Sequence, residues 1–78
     1  MVVTPRRTVD CIGLFCPVPI LRTRGAMAEV AVGDVVELLA DDPAAEGDLR
    51  SWLGRTGHEL LTLDKHGTVA RFLVRKAR

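Results

Sequence analysis

The sequence predicts a two-layer α/β sandwich of order βαβαββ, a four-stranded mixed sheet with two helices on one face. Three observations predict it. Apolar residues switch along the chain between helical spacing and strict alternation. Two proline-marked helix starts, at Pro17 and Pro43, each follow a short β-like run. The last two β-like runs are separated only by Lys65-His66-Gly67, which reads as a tight turn.

Each element has its own reason. Thr8-Val9-Asp10 is short and β-like, after Pro5 and a basic pair. Pro17 and Pro19 mark the first turn of a helix, where a missing N–H is harmless. That helix runs over Val18 to Ala31, with Ile20, Thr23, Met27 and Val30 on one stripe. Val32-Gly33-Asp34 turns the chain into a strand over Val35 to Ala40, with Val36, Leu38 and Ala40 on one face and Val35, Glu37 and Leu39 on the other. Asp42 is the expected N-cap of the second helix, with Pro43 at its first position. Ala45, Leu49, Trp52 and Leu53 form the buried stripe, and Gly57 closes the helix. Strands over His58 to Asp64 and Thr68 to Arg75 complete the order. Helix-linked strands 1 and 2 should be parallel neighbours, and strands 3 and 4 a hairpin.

Composition bounds what such a domain can do. Its 78 residues form a single domain, residues 1–78, without linker or repeat. At this size only about 60% of the unfolded chain's surface is buried, so an enclosed substrate pocket would consume the core. Chemistry should sit at the surface and use few residues. Lys+Arg is 11 against Asp+Glu 10, which lacks the basic excess of a dedicated nucleic-acid binder. With no Tyr, two Phe and one Trp, few rings exist to stack bases. The leading segment, Met1 to Arg7, is polar and basic and no membrane-length apolar run follows, which predicts a cytoplasmic protein. In that setting two cysteines are expected to be reduced.

The chemistry concentrates in Asp10-Cys11-Ile12-Gly13-Leu14-Phe15-Cys16-Pro17-Val18-Pro19. Cys16 falls at the N-cap or N-terminal edge of the first helix. Free N–H groups and the helix dipole favour an anion there, so its thiol is expected to ionise below the usual value of about 8.5. The two prolines remove some donors but stiffen the turn that aims the sulfur. The plain alternative is a small buried hydrophobe.

Asp-x-x-Gly-x-x-Cys-Pro-x-Pro resembles the signature of the TusA (SirA-like) sulfur carrier proteins. Ala40-Asp41-Asp42-Pro43-Ala44 and Gly57-His58-Glu59-Leu60 extend the resemblance, which covers Thr8 to Lys76. It implies a sulfurtransferase-type carrier rather than a multi-turnover enzyme, needing no cofactor or metal. Cys16 would accept sulfane sulfur as a persulfide from a donor protein of cysteine desulfurase or rhodanese type and pass it to an acceptor protein. An anionic persulfide would be held by the helix start. Transfer RNA thiolation, cofactor sulfuration and sulfur oxidation all remain open as pathways. Asp10 would position the motif loop through backbone N–H groups, Gly13 would supply a special conformation, and Pro17 and Pro19 are structural. Arg22 and Arg24, just past Cys16, would greet an acidic partner.

Cys11 departs from the best-known members and resembles a subgroup, some of it associated with sulfur-compound transport. It is a candidate resolving thiol for Cys16; a partly buried bystander is the plain reading. A zinc site from Cys11, Cys16, His58 and His66 fits no usual ligand spacing. Gly54-Arg55-Thr56-Gly57 has the form of a backbone clamp for nucleic acid, but its glycines fit a helix end better. Two alternatives stay open: a small nucleic-acid-binding regulator using the basic face, and the thiol partner of a thiosulfate or related sulfur-compound transporter.

Overall fold

A computed structural model describes residues 4–78. Residues 1–3 of the basic leading segment lie outside it. The elements are β1 (Arg7–Cys11), α1 (Val18–Glu29), β2 (Val35–Ala40), α2 (Ala45–Thr56), β3 (Glu59–His66) and β4 (Val69–Arg75). The sheet order is β1-β2-β4-β3. β1 and β2 are parallel, with Cys11 opposite Ala40. β2 and β4 are antiparallel, as are β3 and β4. The element order, the parallel β1–β2 pair and the β3–β4 hairpin are as predicted, and β4 lies between β2 and β3.

One face of the sheet makes the core. Val9 and Cys11 of β1, Val36, Leu38 and Ala40 of β2, and Phe72 and Val74 of β4 are buried. They meet Ile20 and Met27 of α1 and Ala45, Leu49, Trp52 and Leu53 of α2. Thr23 lies on the same stripe, fully buried, because its hydroxyl donates to the Pro19 carbonyl at 2.8 Å. The other face is laced with charge. Arg71 pairs with Glu37 and Asp64, Arg75 pairs with Glu59, and the Thr8 hydroxyl donates to Glu37.

Several ends differ from the sequence reading, for local reasons. α1 stops at Glu29 rather than Ala31, because the Asp34 carboxylate takes the Ala31 N–H at 2.9 Å and Gly33 turns at φ +94°. Asp42 is not the N-cap of α2; Ala44 is. Asp42 instead caps a preliminary turn, accepting from the Ala44 N–H at 3.0 Å. β3 runs on to His66, so the hairpin turn is Gly67-Thr68 and His66 pairs with Val69. Gly57 closes α2 as expected, at φ +82°, its N–H donating to the Leu53 carbonyl at 2.8 Å. His58 stands just before β3, its ring 5.4 Å from Trp52, and Nδ1 accepts from the Ala77 N–H. No helix among the described residues is long and apolar enough to cross a membrane.

Candidate functional site

Parallel pairing puts the C-terminal ends of β1 and β2 at the same edge. The motif loop leaves Cys11, and Asp41-Asp42 leaves Ala40, side by side. Loops at the carboxyl ends of parallel strands are where α/β sheets build sites.

The loop is fastened at three backbone points. Asp10 Oδ1 accepts from the Ile12 N–H at 3.0 Å, a local turn cap two residues along the chain. Asp41 Oδ1 accepts from Gly13 at 2.9 Å. Asp42 Oδ2 accepts from Cys16 at 2.8 Å. Gly13 itself turns at φ +80°, which a side chain would resist. These N–H bonds hold the Asp42 carboxyl below its ordinary range, Cys16 contributing most and Ala44 next. Asp41, the second reach of Asp42, and Asp48 of α2 escaped the sequence reading as parts of the site. The signal for the first two was present: Asp-Asp directly follows a strand expected to lie parallel to the motif strand.

Cys16 is a free, half-buried thiol at the end of this loop. The N-cap of α1 is Pro17, not Cys16, and the bond between them is cis. The expected acidic thiol is absent. The Cys16 thiol is pushed up to about 12, by burial first and then by the carboxylates of Asp48 and Asp42. Backbone geometry explains why the helix start does not help. The Cys16 N–H is taken by Asp42. Val18 donates to Phe15, and Ile20 and Leu21 both donate to Pro17. Pro17 and Pro19 have no N–H at all. From Cys16 to Leu21 no backbone donor is left for an anion, thiolate or persulfide.

The remaining predicted residues are spread around this centre. Pro19 is buried in the first turn of α1. Cys11 is fully buried in the core, and burial raises its thiol above the ordinary value, partly opposed by Arg22. Arg22 and Arg24 are exposed on α1. Arg24 borders a groove between the helices with Pro17, Leu21, Asp48, Trp52 and Arg55. Ile12, Phe15 and Leu21 are large exposed apolar residues, Phe15 at 77%. His58 stands just before β3 and His66 is its last residue.

Known proteins resemble this chain in sequence and fold. Residues 7–76 match the family model described as Sulfurtransferase TusA. A protein of Archaeoglobus fulgidus named as a candidate sulfur carrier is 49% identical over 70 residues, spanning 88% of this chain and 91% of that one. Bacillus subtilis YrkI, named likewise, is 39% identical over 70 residues, 90% of this chain and 93% of its own. The crystal structure of a SirA-like protein from Desulfitobacterium hafniense gives a TM-score of 0.80 at 27% identity, covering 92% of this chain and 99% of that one.

Proposed function

The chain belongs to the TusA sulfurtransferase family, and on that premise we propose that it is a sulfur carrier loaded as a persulfide on Cys16. The observation that carries the reading is a single half-buried free thiol at the tip of a loop fastened by Asp10, Asp41 and Asp42. A thiol held this way needs neither pocket nor metal to pass sulfur.

Loading is an exchange at sulfur. The Cys16 thiolate attacks the outer sulfur of a donor protein's persulfide. The donor's S–S bond breaks, and the donor leaves as a thiolate that takes up the proton Cys16 released. An acceptor's thiolate attacks the outer sulfur of Cys16 in the same way. A cysteine desulfurase or rhodanese suits the donor's place. The exposed Phe15 and Ile12 beside the loop, with Arg22 and Arg24 on α1, make the docking face. Cys11, buried in the core, serves packing; its burial favours that role over resolving the persulfide.

Intact-mass measurement after incubation with a persulfide donor tests the proposal. One added sulfur is expected on the wild type and none on Cys16→Ser. A sulfur that persists in Cys16→Ser rejects the assignment.

A further inference from the structure

We propose that Phe15 is a docking anchor that sets Cys16 against a partner protein carrying an apolar socket beside its reacting sulfur, with carboxylates around that socket. This role rests on the carrier reading, because an anchor has a purpose only where Cys16 exchanges sulfur with another protein.

The geometry of the loop leads here. Leu14 turns inward and packs against the core, and its N–H donates to the Cys11 carbonyl at 3.1 Å. On the other side the Cys16 N–H donates to Asp42 at 2.8 Å, and the Phe15 carbonyl accepts from the Val18 N–H at 3.0 Å. The main chain is therefore fixed before and after Phe15, yet Phe15 itself is 77% exposed. An aromatic ring in that position gains its full apolar burial only when a partner covers it. The fastened loop has little conformational freedom left to lose on docking, so more of that gain appears as affinity. Neighbouring Cα atoms are about 3.8 Å apart. A socket that takes the ring thus holds the partner's sulfur at a fixed offset from Cys16.

Charge describes the surroundings of the socket. Arg22 and Arg24 follow on the exposed surface of α1, and neither makes an ion pair among the described residues. Carboxylates on the partner would complement them. A second copy of this chain fits poorly. Its own apolar groove, with Ile20 and Trp52, is bordered by Arg24 and Arg55 against one carboxylate, Asp48. That groove would meet the incoming Arg22 and Arg24 with like charge.

The test follows sulfur loading of Cys16, located by mass, from two donor proteins: a cysteine desulfurase supplied with cysteine and a rhodanese supplied with thiosulfate. Inorganic polysulfide has no socket and serves as the reference for the reactivity of the sulfur itself. With a protein donor that loads the wild type, Phe15→Ala should raise the KM for the carrier about thirtyfold, mostly without loss of kcat. That change should far exceed any change in polysulfide loading. Phe15→Leu should recover most of the affinity, and Phe15→Asp should be worse than Phe15→Ala. Val32→Ala trims a comparably exposed apolar residue ahead of β2, at the end away from the motif loop, and should leave KM in place. The wild-type KM should also rise with salt, and a KM that salt leaves unmoved overturns the acidic rim. Equal KM values for wild type and Phe15→Ala overturn the anchor, as does an equal rise in Val32→Ala. Self-association of the wild type that Phe15→Ala abolishes also overturns it, by making a second copy the occupant. Loading by polysulfide but by neither protein overturns the anchor and leaves Cys16 as a sulfur site. A wild type that nothing loads ends the carrier reading itself, and the anchor with it.

Discussion

At Gly13 the motif loop adopts φ +80°, and a Cβ there would meet nothing within 4 Å. The penalty for a side chain is therefore conformational alone. Gly13→Ala should cost about 1–2 kcal/mol, read as a lower urea midpoint with an unchanged slope. The aspartates of the loop were only partly readable beforehand. Asp10 acts on a residue two positions away, so its role lies within one short window of sequence. Asp41 and Asp42 reach back 28 and 26 residues to Gly13 and Cys16. Such distant partners depend on strand pairing, which was expected, and on which N–H each carboxylate reaches, which residue type does not announce. Asp42 also has a definite pH sense. Its carboxyl is lowered in the fold, so its stabilisation is full above the ordinary carboxylate range. That stabilisation is lost as pH falls through the lowered value.

Among the elements, α1 is the most instructive. Pro17 and Pro19 correctly announce its start, and the same two residues misled the chemistry. A proline that suits the first helical turn also deletes the donor that would have steadied an anion there. Its apolar stripe was legible because Ile20, Thr23, Met27 and Val30 are all buried. The C-terminal end was not, because Asp34 and Gly33 settle it by a side-chain bond and a positive φ. Gly25 sits exposed in the middle of α1, and a Cβ there has open space. Gly25→Ala should therefore stabilise the protein by about 1 kcal/mol. Thermal unfolding would show this as a rise of roughly 4–8 °C for a domain of this size. A fall would mean that the glycine serves a close approach not visible in the isolated chain.

Across the whole molecule, the fold order was legible because helix and strand periods alternate cleanly and each turn is marked by Gly or Pro. The sheet's assembly also links distant segments through His58. Its ring packs on Trp52 and Nδ1 holds the Ala77 N–H, while Lys76 reaches the Val30 carbonyl. Burial lowers the His58 ionisation, helped by Lys76 and Arg78. The unfolded chain therefore binds this proton first. Stability should be full above about pH 6.5 and should decline as pH falls below it. Thermal scans between pH 8 and 5.5 check this, and His58→Gln should flatten the decline below about pH 6.5. The raised Cys16 ionisation has the opposite sense and a wider consequence. Both carboxylates that act on the sulfur belong to segments brought to it only by the finished sheet and helices. When the chain opens, that sulfur should return to ordinary thiol acidity and react sooner with electrophiles. Labelling of Cys16 by a thiol reagent across a denaturant series should therefore quicken as the fold opens.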